Sequence, residues 1–352
     1  MNTIDMKQPT GVHQEVHGFG NFVLANRTVR ALENGQKLYP IFRTFNFAAR
    51  IELEVLMDSM ALDPTWRVER QNGEQLVIDG DGLFAMVYGS RKEDYCSCFF
   101  WLWAADIAKA EAAKERLIAK AGSTRITEPM FTVDWYFSTS NGVDSASIEE
   151  LATDSIHDRA YPCIEGGVKA FIERYLDAKE TVLVLQGPPG TGKTRLIRGI
   201  LAEMSRRKEK PARVMYTGDA KLLQGDEIFV KFITGYEDAF VTEDADHVMK
   251  PRAEGNDNLH RFLTIADGVV RSQGRKIVFS TNLPNVGDLD EALVRPGRCF
   301  ARLHVRKLTL EEARELGAEI AAGDAEKMRR VAALGEGKAG ALSLAEVYQA
   351  LQ

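Results

Sequence analysis

A chain of 352 residues, 45% hydrophobic and 27% charged with a formal net charge of -6, has the composition of a soluble globular protein with room for two domains. Its mild acidity argues against whole-surface attraction to nucleic acid or to an anionic membrane. The most apolar run, CSCFFWLWAA at 96–105, is far shorter than the roughly 20 residues of a membrane-crossing helix, and four cysteines without paired-ligand spacing predict a reduced, cytoplasmic protein.

Residues 1–45 are mixed and turn-rich. In ARIELEVLMDSMALD (49–63), Ile51, Leu53, Leu56, Met57, Met60 and Leu62 recur at near-helical spacing and predict a helix. Two alternating stretches follow, QLVIDGDGLFAMVYG and DYCSCFFWLW, the first with a hairpin-like DGDG at 80–83. Alternation places Cys96 and Cys98 on one face of the second strand and large aromatics on the other, a core pattern rather than a zinc site. Trp101, Trp103 and Trp135 read as core packing in strands. ADIAKAEAAKERLIAKAG predicts a helix closed by glycine, and PMFTVDWYFST (129–139) one more strand. Residues 1–140 therefore predict a small α+β domain, and the polar, irregular residues 141–164 a linker.

From residue 165 the rhythm becomes helix, apolar strand, glycine loop, helix, strand, which predicts an α/β core with a parallel sheet over 165–304. Two capping boxes, Thr309 to Glu312 and Ser343 to Glu346, open amphipathic helices and predict a helical lid over 305–352. Within the core, TVLVLQGPPGTGKTRLIRGIL supplies an apolar strand, the run Gly187, Pro188, Pro189, Gly190, Thr191, Gly192, Lys193, Thr194, and a helix that begins with Arg195 in its first turn. This is a phosphate loop in its required context. Its glycines let backbone N–H groups converge on phosphate oxygens, Lys193 reaches the β and γ phosphates, and Thr194 offers its hydroxyl to magnesium. The implied ligands are a nucleoside triphosphate, which the resemblance that follows makes ATP, and Mg2+.

GPPGTGKT resembles the AAA family of P-loop ATPases, and four stretches in order extend the resemblance over 165–352. AFVTEDAD stands where that family carries its magnesium and water-activating carboxylates. RFLTIADGVV (261–270) is similar to the helix before the fourth strand, and KIVFSTNLPN to the sensor strand that ends in Asn282. LDEALVRPGRCF places Arg295 and Arg298 on the arginine-finger positions. The family's usual carboxylate order is Asp then Glu; here it is Glu243 then Asp244, which is similar to the branch that includes the mitochondrial Rieske-protein translocase. That branch also shares a Ser-x-Ala motif like the one in SLAEV at 343–347, although its membrane anchor has no counterpart here.

Two registers are open. In the first, Glu243 serves the metal together with Thr194 and Asp244 positions water, as the branch sharing the inversion implies. In the second, Asp244 is the metal residue and Ala245 occupies the base position, so that hydrolysis is poor. The resemblance implies an ATPase that remodels a protein or protein complex as a homo-oligomeric ring, a hexamer, with Arg295 and Arg298 acting on the neighbour's nucleotide, Asn282 holding water or γ-phosphate, and residues 1–140 recognising the substrate. An ATP-dependent switch or scaffold and a nucleic-acid-loading ATPase are the alternatives. Of the remaining signals, SRRKEKPAR (205–213) reads as a solvated helix end and His13 with His17 as incidental. Leu222, Leu223 and Gly225 only loosely echo a substrate-gripping pore triplet, which puts threading in doubt.

Overall fold

The structure, a computed structural model, describes residues 39–140, 142–152, 155–249, 274–284, 297–334 and 340–352. The chain divides into two compact units, residues 1–127 and 128–352. Among the described residues no helix is long and apolar enough to cross a membrane. His13, His17, the 261–270 segment and Arg295 lie outside the described residues.

In the first unit the order is β1 (Ile41–Ala49), α1 (Leu53–Ala61), β2 (Arg67–Asn72), β3 (Gln75–Gly80), β4 (Leu83–Arg91), β5 (Cys96–Ala104), α2 (Ile107–Ala119) and β6 (Arg125–Ile126). The sheet runs β2-β3-β4-β5-β1-β6, antiparallel throughout. Cys96, Cys98, Phe100, Leu102 and Ala104 alternate onto the face covered by α1 and α2, where Leu53, Leu56, Met57, Met60, Ala113 and Leu117 meet them. Phe84, Met86, Trp101 and Trp103 occupy the other face. The helix starts at Leu53 rather than at residue 49, because residues up to Ala49 pair with β5 as β1 instead.

The second unit contains β7 (Met130–Thr139), β8 (Gly142–Leu151), α3 (Val168–Asp177), β9 (Val182–Gln186), α4 (Lys193–Lys208), β10 (Ala212–Tyr216), α5 (Ala220–Gln224), α6 (Glu227–Thr234), β11 (Ala239–Thr242), α7 (Asp246–Met249), β12 (Lys276–Thr281), β13 (Cys299–His304), α8 (Leu310–Ala321), α9 (Ala325–Ala332) and α10 (Leu344–Leu351). Its seven strands lie in the order β13-β9-β12-β11-β10-β7-β8, parallel except for β8, which returns antiparallel along β7. Both capping boxes form, at the N-termini of α8 and α10.

Two expectations need correction. Residues 129–139 do not complete the first unit, and much of the 141–164 segment is not a linker: β7 and β8 extend the parallel sheet at its β10 edge. β8 is an edge strand with mostly exposed side chains, so its sequence, GVDSASIEEL, carries the polarity of a linker while its backbone pairs along its whole length. The other correction is Trp135, which is 46% exposed and not a core residue.

One buried charge anchors the first unit. Asp63 is 3% exposed and its carboxylate takes Arg116 Nε and Nη2 at 2.8 Å each, Lys120 Nζ at 2.6 Å and the Thr65 N–H at 2.9 Å. The Arg116 hydrogen bond first, and then Lys120 and Thr65, hold its carboxyl well below the usual range. The stability it contributes is therefore complete above roughly pH 4 and lost as pH falls further. Asp63→Asn is expected to lower the unfolding free energy by about 2 kcal/mol at neutral pH, and to narrow its gap to wild type on acidification, measured by urea unfolding followed through the tryptophans.

Candidate nucleotide site

The site lies at the carboxyl ends of three neighbouring parallel strands, β9, β12 and β11, where loops of α/β sheets converge on ligands. β9 runs into the glycine loop and α4 starts at Lys193. The loop needs glycine for two distinct reasons. At Gly187, with φ +155°, a β-carbon would stand 2.0 Å from the Val305 carbonyl oxygen, on the segment whose Val305 N–H donates to Gln186 O at 2.7 Å. At Gly192, with φ +96°, it would stand 2.5 Å from a Leu344 methyl on the lid helix α10. Tyr161 donates its hydroxyl to Gly192 O at 2.9 Å, and Ala345 N–H donates to Gly190 O at 3.0 Å, so both the supposed linker and the Ser343-Leu344-Ala345 motif brace the loop. Thr191 turns inward and donates to Pro188 O at 2.8 Å.

Lys193 is 7% exposed. Its Nζ donates to Gly187 O at 2.7 Å, Pro188 O at 3.1 Å and Asn282 Oδ1 at 2.9 Å. Burial lowers its pKa, while the charges of Asp244, Asp246 and Glu243 act the other way.

Beyond β11 the chain turns sharply, with Asp244 at φ +50°. Glu243 goes to the phosphate-loop side, where Thr194 donates its hydroxyl to Oε1 and Tyr216 donates to Oε2 at 3.4 Å. Asp244 goes to the sensor side: its Oδ1 accepts from Asn282 Nδ2 at 2.7 Å. Ala245 is fully buried and its N–H donates to Ser280 O at 2.8 Å. Asp246 Oδ1 accepts from the Thr281 hydroxyl at 2.5 Å and the Asn282 N–H at 2.9 Å, which fixes the end of β12. Burial, followed by the Glu243 charge, pushes the Tyr216 hydroxyl up to about 12.

A cleft of about 710 Å³ opens over these groups and is bounded on the lid side by Leu344, Ala345 and Tyr348, a size suited to a nucleotide. Arg195 reaches across from α4 and lies 3.9 Å from the centroid of the Tyr348 ring. Pro189, Gly190, Gly192, Thr194, Arg195, Glu243, Asp244 and Asn282 all line the cleft. Arg298 is elsewhere. Its carbonyl accepts from Val182 N–H at 3.2 Å, at the start of β9, so five residues of strand, roughly 16 Å, separate it from its own phosphate loop.

The sequence reading did not assign Tyr216, Asp246, Tyr161 or Tyr348. Only Asp246 had a visible signal, two places beyond Asp244. The loose pore triplet fails for a plain reason: Leu222 and Leu223 are buried under the sheet beside Met215 and Phe229. The basic stretch 205–213 is largely neutralised, with Arg206 and Arg207 on Glu203, Arg207 also on Asp177, Lys208 on Asp238 and Arg213 on Asp134.

Residues 183–307 match the family model described as ATPase family associated with various cellular activities (AAA). Over that span the chain is similar to AAA ATPases. Among curated proteins this chain is 23% identical over 221 residues to a proteasome-associated ATPase of Frankia casuarinae, which covers 50% of this chain and 36% of the relative. It is 33% identical over 156 residues to an AAA-ATPase of Arabidopsis thaliana, covering 40% of this chain and 33% of that protein. A protein of Kocuria rhizophila described as an AAA ATPase forming ring-shaped complexes is 23% identical over 217 residues, 49% of this chain and 37% of its own length. The chain thus spans little more than a third of the length of these relatives.

The close approach at Gly187 gives a direct test of the loop. ATP is expected to raise the thermal unfolding temperature of the wild-type protein by binding only the folded state, and Gly187→Ala is expected to abolish that rise, measured by differential scanning fluorimetry with and without ATP.

Proposed function

We propose that the protein hydrolyses ATP and uses the cycle, as a ring of identical subunits, to remodel a protein or protein complex that its first unit recognises. The observation that carries this reading is the division of labour at the β11 end: Glu243 beside Thr194, and Asp244 beside Asn282, which also holds Lys193. Thr194 and Glu243 offer hydroxyl and carboxylate oxygens, the hard donors that magnesium takes alongside phosphate oxygens, so the residues present fit Mg2+. Bound there with ATP, the ion would neutralise charge on the transferring phosphoryl group.

The remaining chemistry belongs to the chain's own residues. Backbone N–H groups of Gly190, Thr191, Gly192 and Lys193 and the N-terminus of α4 hold the phosphates. Asp244 orients the attacking water and accepts its proton, and the Asn282 amide fixes Asp244 from the far side. The first register is favoured by the contacts of Glu243, and the second is disfavoured because Ala245 is buried with its backbone committed to β12. That weighs against the slow switch. The paired state of residues 205–213 likewise weighs against nucleic-acid loading.

The position of Arg298 supports assembly. Arg298 immediately precedes β13, at the opposite end of β9 from the phosphate loop, so we assign its guanidinium to a neighbour's nucleotide rather than its own. We assign Arg295 the same role from its position in the motif. A hexamer is the assembly this reading favours, and the likeness to a relative described as ring-forming supports it. With Leu222 and Leu223 buried, substrate engagement is assigned to the first unit rather than to a pore triplet.

Asp244→Asn is expected to lower steady-state ATP turnover at least about 100-fold while Mg2+-ATP binding stays within about threefold of wild type, as read by a phosphate-release assay and a fluorescent nucleotide titration. Turnover retained in that variant would overturn the assigned register.

A further inference from the structure

The cleft shares a wall with a second, open cavity of about 200 Å³, lined mostly by apolar side chains of α4, β10 and the β7–β8 hairpin, and Tyr216 and Glu243 line both. Tyr216 closes β10, the strand next to the one that carries Glu243. Its backbone is pinned from both sides, by register with Val241 of β11 and with Trp135 of β7. The next residue is fixed as well: Thr217 N–H donates to Val241 O at 3.2 Å and the Thr217 hydroxyl to Tyr136 O at 3.0 Å. The Tyr216 ring meets Trp135 edge-on, with centroids 6.2 Å apart and planes at 79°. From this fixed base its hydroxyl donates to Glu243 Oε2 at 3.4 Å, while Thr194 holds Oε1.

The inverted carboxylate order gives that contact a purpose. Glutamate in the metal position has one more rotatable bond than aspartate, so its oxygens sweep a wider volume and lose more freedom when fixed. A donor on the second oxygen removes that freedom before the ion arrives, which is how a rigid surround preorganises a ligand set.

We infer that Tyr216 is a positioning residue for the Glu243 carboxylate, holding its second oxygen so that the first stands with the Thr194 hydroxyl where magnesium binds, and that Trp135 buttresses it from the β7–β8 hairpin. The inference rests on reading Glu243 as the metal carboxylate. It also gives the hairpin added to the sheet edge a role at the site, through a tryptophan that is 46% exposed and so costs little to remove.

The test is an equilibrium titration that needs no hydrolysis. Mg2+ is added to the full chain with a fluorescent, non-hydrolysable ATP analogue, starting in EDTA, and the Mg2+ concentration at half-maximal tightening is read. Tyr216→Phe keeps the ring, its contact with Trp135 and the wall of the cleft, and removes only the hydroxyl. We expect its Mg2+ midpoint to rise about 3- to 10-fold, the scale of one ordinary lost hydrogen bond, with analogue affinity in EDTA unchanged. Trp135→Ala is expected to move the midpoint the same way by a smaller factor, and carries the test if the phenylalanine variant does not fold. Glu243→Gln is the control. If it shifts the midpoint and the Tyr216 and Trp135 variants do not, the positioning role is wrong. If Glu243→Gln leaves the midpoint unmoved, the reading of Glu243 is wrong and the inference falls with it.

Discussion

The side-chain amide of Asn282 accepts from Lys193 and donates to Asp244, and with these two hydrogen bonds it ties together the ends of three strands. Lys193 follows the loop after β9, Asp244 follows β11, and Asn282 ends β12, which lies between them in the sheet. One amide presents its oxygen to a cation and its nitrogen to an anion, so its orientation is set by charge. Asp246 completes the fixation by accepting the Asn282 backbone N–H. A cation buried to 7% exposure is tolerable because its Nζ donates to Gly187 O, Pro188 O and Asn282 Oδ1, with the charges of Asp244, Asp246 and Glu243 acting in its favour.

The geometry around this centre has a cost that the sheet bears. Asp244 occupies the left-handed region at φ +50°, a conformation that a non-glycine side chain adopts when its surroundings compel it. Here the compulsion comes from β12: Ser280 Oγ accepts the Asp244 N–H at 3.3 Å and Ser280 O the Ala245 N–H at 2.8 Å. The turn sends two consecutive carboxylates to opposite sides, Glu243 toward Thr194 and Asp244 toward Asn282. A continuing strand would also alternate side chains, but without bending Asp246 back under β12. The lid takes part in the same economy of space, since Leu344 fills the place a Gly192 β-carbon would need.

Local signals made the second unit legible. An all-apolar strand, a glycine run with lysine and threonine, and a helix are contiguous in sequence, so the loop and its residues could be read without knowing the fold, as could the capping boxes of α8 and α10. What escaped was non-local or disguised by exposure. Tyr216 and Tyr161 meet the site only through strand order and chain return, and nothing beside them in sequence marks them. The β7–β8 hairpin was hidden because an edge strand with one wet face has the composition of a linker, and Trp135 was misplaced with it. β1 was missed where IFRTFNFAA ran into the helical pattern beginning at Leu53. Between the carboxylate registers the sequence favoured the first, on the resemblance and on the lack of a base at Ala245, and the contact of Glu243 with Thr194 adds support to it.

Because the backbone of Arg298, the proposed finger, lies a full strand away from its own loop, activity and assembly are linked in the proposed function. The most direct measurement is steady-state ATP hydrolysis with Mg2+ across a wide range of protein concentration, with assembly state followed in parallel by analytical ultracentrifugation. The account predicts turnover per subunit that rises with concentration and levels off as the ring fills. Turnover per subunit that is constant down to concentrations where the protein sediments as a monomer would contradict it.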